Sequence, residues 1–440
     1  MKLCFVNQPW TIAAPPKGSD STGIWSYQAS LYLSKYSDII YYGSEYASYA
    51  RKKSRLYLNS DFRIEYRGVS HQLDNLLKVP RKIINKLELN DKTPYFSSIW
   101  FHLGYAWQIA RDAAQQDCDV IHVHNFSQFV PTIRNYNPKA KIVLHLHCEW
   151  VNRLERDEIA ARLTQADLII SCSDYITDKI ADRFPEQRSI CRTIYNGVDA
   201  DYFVPSYRYL PQNSHVPQIL FVGRISPEKG IHDLVDAFIK VTEKHSQAVL
   251  TIAGPHIVVA KEFLFDLQPE PEVQALEPFY SLNYLEYIKS KIPAHLASQV
   301  IFTGSLSQPE LLPHYQNADV VVNPSLSEAF GMSLVEAMAT QTPVIATQIG
   351  GMPEIVDDGV TGLLVESGNP PVLAEAIAKI ISNPDRAKAM GIAGRRKVLQ
   401  RYHWSKIAES LVDSYADIGV ELESNETQKV LTRSLSRANQ

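Results

Sequence analysis

The sequence predicts an α/β protein with two doubly wound parallel sheets, in two domains that face a central cleft. Three observations carry this expectation. Short apolar runs recur, each followed by a turn and then a helix-period segment. The runs show little polar alternation, as strands buried on both faces do. The series also stops at a polar, proline-containing stretch, VPSYRYLPQNSHVPQ (204–218), and then begins again. Strands alternating with helices imply parallel sheets, and two such series imply two domains.

In the first half the runs are KLCFV, DVIHVHN, KIVLHLH, ADLIISCS and RTIYNG. In the second they are PQILFVGR, AVLTIAG, QVIFTG, ADVVVNPS, TPVIATQIGG and TGLLVESG. The expected boundaries are 1–205 for the first domain and 206–400 for the second. A helix-period segment at 401–420 follows the completed second sheet and is free to cross back onto the first domain. Residues 421–440 form a polar tail with the composition of a disordered segment. Two stretches break the rhythm: a basic insert at about 45–98, and an aromatic, acidic insert at about 256–282.

The bulk properties narrow the function. A chain of 440 residues, 45% hydrophobic and 21% charged, is an ordinary globular composition. A net charge of −4 argues against a nucleic-acid partner held by phosphate neutralisation. The N-terminal apolar run is too short for a signal-peptide core, and nowhere do 18 apolar residues run together. The 5 cysteines form no CxxC pair and lie mostly in strand-like runs, which reads as reduced thiols in a cytoplasmic protein. Within the basic insert, LLKVPRKIINKLE (76–88) spaces apolar residues at near-helical intervals among Lys and Arg. It reads either as a solvated face or as a peripheral contact with an anionic membrane surface.

In an open parallel sheet ligands bind beyond the carboxyl ends of the strands. There, GRISPEKG places Arg224 at a strand end and Lys229 in the turn that enters the next helix. Two fixed cations suit a diphosphate without a metal; the plain alternative is a pair of solvated loop charges. Beyond ADVVV, the loop NPSLSEAFGM carries Glu328, then Phe330, Gly331 and Met332, whose backbone N–H groups can face a ligand. Ser333 and Glu336 have the spacing of a capping box, so Glu336 has a structural reading as a helix cap. Glu328 has none.

Taken together, Glu328-x7-Glu336, GRISPEKGIHDLVDAF, NGVD (196–199) and GGMPEIVDDGVTGLLV (350–365) resemble glycosyltransferase family 4. The resemblance is strongest from about 190 to 410 and weaker in the first domain. It implies the GT-B fold of two Rossmann-like domains, retention at the anomeric carbon and a nucleoside diphosphate sugar as donor. It implies that Arg224 and Lys229 hold the diphosphate, Glu328 the donor sugar and Glu336 the ribose hydroxyls. The expected donor-binding set also includes Gly223, and Gly304 and Leu306 in a loop where base selection is expected. In the first domain Gly23 matches the glycine that opens the first helix, although the family's usual Gly-Gly pair is missing. His147 matches the family's histidine after the strand VLHLH and is expected to face the donor sugar and stabilise positive charge.

HVH and HLH each place paired imidazoles at a strand end. A metal would require His122, His124, His145 and His147 to converge, and the expectation is no metal and no cofactor. The implied activity is transfer of a sugar to an acceptor hydroxyl, on a sugar, a lipid-linked or a small-molecule acceptor. Rival readings on the same fold are a nucleotide-sugar epimerase, a glycogen-type phosphorylase and a non-catalytic nucleotide-sugar-binding protein.

Overall fold

The computed structural model describes residues 1–13, 20–45, 56–59, 63–77, 94–206, 216–267 and 270–422. Most of the expected membrane-touching stretch and the polar tail lie outside these residues. Among the described residues, no helix is long and apolar enough to cross a membrane. The chain divides into two compact units. One contains Met1–Cys172, Thr177–Ile194 and the segment beginning at Trp404; the other contains Ser173–Ile176 and Tyr195–His403.

The first unit is built on a sheet of 8 strands in the order β3-β4-β2-β1-β5-β6-β7-β8. The strands are β1 (Lys2–Val6), β2 (Asp38–Ser44), β3 (Leu56–Asn59), β4 (Ile64–Val69), β5 (Val120–His124), β6 (Lys141–Leu146), β7 (Leu168–Ser171) and β8 (Cys191–Thr193). All neighbours run parallel except β3 with β4.

One of these strands corrects the sequence reading. β4 falls inside the supposed basic insert and pairs with β2 from Ile39↔Ile64 to Ser44↔Val69. It escaped notice because its burial alternates, and its half-buried face carries Glu65 and Arg67. Those charges are not solvated: Arg67 pairs with Glu65 at 2.5 Å and with Asp112 at 2.6 Å.

The cysteine expectation also changes. Cys4 and Cys118 form a disulfide across 114 residues of sequence, while Cys148, Cys172 and Cys191 are free. The reason is topological. β1 and β5 are parallel neighbours, which brings the start of one beside the approach to the other.

The Ser21–Leu33 helix follows β1, capped by Asp20, whose carboxylate accepts the Gly23 N–H at 2.8 Å. The C-terminal helix Trp404–Ala416 belongs to this unit. Its Trp404 ring lies 5.8 Å from Trp25 of the first helix, edge to face, and Tyr415 is fully buried. Burying such side chains contributes about 1.5–3 kcal/mol each.

The second unit holds 6 parallel strands in the order β11-β10-β9-β12-β13-β14. They are β9 (Gln218–Val222), β10 (Val249–Ala253), β11 (Val300–Gly304), β12 (Val320–Asn323), β13 (Val344–Thr347) and β14 (Gly362–Val365). The central strands carry little but Val, Ile, Leu and Ala, which is why they are legible as buried on both faces. The helix Ile231–Thr242 buries Leu234, Val235 and Phe238 against Ile219, Phe221 and Ile252.

Glycine is required where the strand ends crowd together. A Cβ on Gly254 (φ +148°) would lie 1.9 Å from the carbonyl oxygen of Gly223, and one on Gly230 (φ +65°) 2.1 Å from that of Pro324. These contacts bind the strand-end loops into one surface.

Candidate active site

In the second unit, the loop after β9 runs through Arg224 into the short turn Pro227–Lys229. The loop after β12 runs through Glu328 to the helix Met332–Ala339. They meet through Lys229, whose Nζ donates to Glu328 Oε2 at 2.7 Å, with both side chains less than a fifth exposed. Burial pushes the Glu328 carboxyl up. The Lys229 charge and hydrogen bond, the Phe330 backbone N–H and the nearby Arg224 guanidinium outweigh it, and the net shift is down. Glu328 is therefore an ionised carboxylate kept largely out of water. Arg224 is more open, 44% exposed, with Nη2 3.3 Å from Glu228 Oε1.

Glu336 behaves differently, and the capping-box reading is wrong. The helix begins at Met332, with Gly331 (φ +111°) as its N-cap, so Ser333 already lies inside the first turn. Glu336 instead accepts the Tyr315 hydroxyl at 2.6 Å. Burial pushes its carboxyl up to about 7, against the opposing effect of that bond. The capping box in this region is Ser307 with Glu310, on the helix Gln308–Asn317.

The other expected positions are placed as follows. Gly223 donates its N–H to the Ala253 carbonyl at 2.9 Å, and Gly304 ends the edge strand β11, accepting from the Gly254 N–H at 2.9 Å. Leu306 is half-buried two residues later. Phe330 is 2% exposed, and Met332 is half-buried. In the first unit, the Gly23 N–H is engaged by Asp20, so it is not a spare donor for a ligand.

The four histidines do converge. His122 Nε2 lies 3.0 Å from His145 Nδ1, and His124 Nδ1 lies 2.9 Å from His147 Nε2. Ring nitrogens of His122, His124 and His145 all fall within 4.8 Å of one another. Burial holds these three well below the ordinary histidine value, and the only charges that act on them are those of other histidines. The cluster suits neutral imidazoles. Neutral imidazole is also the form that ligates zinc, so the burial that keeps these rings uncharged does not disfavour a metal.

Proton counting along one pair fixes the ring of His147. Asn7 Nδ2 donates to the Tyr42 carbonyl at 2.9 Å, so Asn7 Oδ1 is the acceptor for the Ser26 hydroxyl at 2.6 Å. A hydroxyl has one proton. Ser26 Oγ must then accept from His124 Nε2, 2.9 Å away. A neutral His124 with its proton on Nε2 accepts at Nδ1, so His147 donates from Nε2. The His147 backbone N–H is held by Asn125 Oδ1 at 2.7 Å.

A model of the family described as "Glycosyl transferases group 1" matches residues 209–397, and one described as "Glycosyltransferase Family 4" matches 81–202. The chain belongs to the group 1 glycosyltransferases. Its relatives include spore coat protein SA of Bacillus subtilis, 26% identical over 71% of this chain and 81% of that one. Another is a lipopolysaccharide 1,2-N-acetylglucosaminetransferase of Salmonella typhimurium, 26% identical over 93% and 96%. Among solved structures, sucrose-phosphate synthase from Thermosynechococcus elongatus superposes with a TM-score of 0.69 at 20% identity, covering 95% of this chain and 98% of that one. Anabaena HepE, solved with UDP, gives 0.64 at 17%, covering 95% and 100%. These likenesses establish the GT-B fold.

Sequence reasoning about this glycosyltransferase missed Glu228, Tyr280, Tyr315 and Ser26, each of which holds an expected site residue or a neighbour of one. Only Glu228, next to Lys229, offered a signal, and it read as a loop charge. A cavity of about 290 Å³ beside β4, lined by Arg67, Trp107 and Arg111 among others, contains none of the expected residues.

Two tests follow from this geometry. In ¹⁵N spectra of the histidine rings above neutral pH, His147 should carry its proton on Nε2, and Ser26→Ala should give mixed tautomers. A wild-type His147 protonated on Nδ1 would refute the proton count.

The second test concerns Glu336. Between its ordinary value of 4.5 and about 7, the folded chain retains a proton that the unfolded chain has released. This residue therefore takes stability away as pH rises through that window. Glu336→Gln removes the titration and keeps an acceptor for Tyr315. Its Tm relative to wild type should rise between about pH 5 and about pH 8. A gap constant with pH would show that Glu336 is ionised throughout.

Proposed function

We propose that this glycosyltransferase moves a hexose from a nucleoside diphosphate sugar to an acceptor hydroxyl with retention, in the synthesis of a glycan, polysaccharide or glycolipid. One observation carries the reading: the half-buried Lys229–Glu328 pair, with Arg224 close by, at the carboxyl ends of the parallel strands. An ionised carboxylate there suits sugar hydroxyls, which donate to it. The cations suit a diphosphate. The relatives named above include a sugar transferase, and HepE was also solved with UDP-glucose.

In the proposed reaction Arg224 and Lys229 stabilise the charge that builds on the diphosphate as its bond to the anomeric carbon breaks. The acceptor oxygen bonds to that carbon on the same face, and its proton passes to the departing phosphate oxygen. No protein nucleophile takes part, and catalysis is positioning with electrostatic stabilisation. His147 would stabilise positive charge at the anomeric carbon. Two side-chain cations make a metal unnecessary, so treatment with EDTA should leave transfer intact. Loss of activity on chelation, restored by a divalent ion, would count against the scheme.

Calorimetry separates the roles of the two acids. Glu328→Ala frees Lys229, so it should retain or tighten the bare nucleoside diphosphate while weakening the intact donor and cutting turnover. Glu336→Ala should weaken even the bare nucleotide through loss of the ribose contact. Arg224→Ala and Lys229→Ala should each weaken it about 10- to 100-fold, the range for a hydrogen bond to a charged group. If Glu328→Ala lost the bare nucleotide and Glu336→Ala kept it, the two assignments would be reversed.

A further inference from the structure

Residues 270–282, with Phe265, lie in the stretch that interrupts the strand–helix rhythm and pack onto both loops of the candidate site. Tyr280 Oη lies 3.0 Å from Glu228 Oε2. Burial, followed by the Glu228 charge, keeps the Tyr280 phenol protonated, so it is the donor. Glu228 is 3% exposed and also accepts the Ser226 hydroxyl. Its other oxygen meets Arg224 Nη2 at 3.3 Å. The Glu228 backbone carbonyl accepts the Leu326 N–H at 2.8 Å, two residues before Glu328.

An apolar contact runs in parallel. Val273 and Leu276 bury Leu326 in a small cluster that Phe265, Phe279 and Tyr280 close off. The Phe265 and Tyr280 rings are 4.9 Å apart, edge to face. Phe279 lies 4.8 Å from His232 in the first turn of the helix Ile231–Thr242, tying the stretch to the main core.

We propose that residues 270–282 are a clamp on the donor site: Tyr280 fixes Glu228, Glu228 fixes the Arg224 guanidinium where it meets the diphosphate, and Val273 and Leu276 seat the loop that carries Glu328. Tyr280 and Glu228 are positioning residues. The physical logic is that Arg224 is exposed and has a long side chain, so unheld it would sample many rotamers and lose entropy on binding. A carboxylate anchored by two hydroxyls limits that search before the ligand arrives. The inference rests on the diphosphate role proposed for Arg224.

A double-mutant cycle tests it, using whichever of UDP, GDP, ADP and dTDP the wild-type chain binds most tightly. Tyr280→Phe should weaken that nucleotide about 3- to 10-fold, the scale of one hydrogen bond, with the intact fold confirmed by Tm. The decisive readout is the Arg224→Ala background, where Tyr280→Phe should have no further effect. Equal losses in both backgrounds, or no loss in either, would overturn the clamp while leaving the transferase reading in place. Glu228→Gln probes the same link and should reproduce the pattern if Tyr280→Phe folds poorly. A wild-type chain that binds none of the four nucleotides would overturn the transferase reading, and the clamp with it.

Discussion

An ionised carboxylate kept from water must be given a positive charge by the protein, and Lys229 gives one to Glu328 at 2.7 Å. Breaking a pair of this kind costs far more than an exposed ion pair is worth, because the survivor is left desolvated. The local backbone serves this contact. Gly230 is needed because any side chain there would strike the Pro324 carbonyl. The Glu228 carbonyl takes the Leu326 N–H, so two loops from separate strands are joined beside the ion pair. The fixed backbone and the fixed charge depend on each other.

The first unit uses neutral groups to similar effect. Its histidines lie on neighbouring strands, with His124 opposite His145 in register. Trp25 packs edge to face on His145, ring centroids 4.5 Å apart, and Trp404 of the C-terminal helix covers Trp25. Desolvation alone would leave several ring nitrogens without partners at a cost of about 1–3 kcal/mol each. Ser26 and Tyr415 engage one ring nitrogen each, and the histidines pair with one another at others. His145 Nε2 has no partner among the described residues. The same bonds that satisfy His124 also set which nitrogen of His147 holds a proton, so a packing solution in the core dictates the chemistry available at its edge.

How much of this was legible in the sequence follows from the range of each interaction. The strands of the second sheet announce themselves because burial on both faces demands unbroken Val and Ile, as in β12 and β13. The strand-end rule placed Arg224, Lys229 and Glu328 in the loops after β9 and β12, where they lie. β4 was hidden because its charges find partners on a helix 45 residues away, which no local pattern reveals. Glu336 misled for the opposite reason. A local spacing matched a cap, but Gly331 starts the helix earlier, and the true partner, Tyr315, comes from another helix. Residues joined only in three dimensions, such as Glu228 with Tyr280, leave no trace in a linear reading.

The two acids also show how one loop and its helix shift carboxyls in opposite directions 8 residues apart. Glu328 has a cation, a backbone N–H and a nearby guanidinium, and is shifted down. Glu336 has a single neutral hydroxyl and is pushed up to about 7. Environments that push like groups apart assign them different work. In the proposed roles the difference is useful. A carboxylate gripping a sugar beside a departing diphosphate must be kept ionised so that it accepts hydroxyl protons, and the lysine that ensures this is also poised for the phosphate. An acid on ribose hydroxyls faces no such charge. It can stay near neutrality without a ligand and ionise as two hydroxyls replace the missing water. That change would make nucleotide binding release protons near pH 7, with affinity rising as pH passes through the value of Glu336.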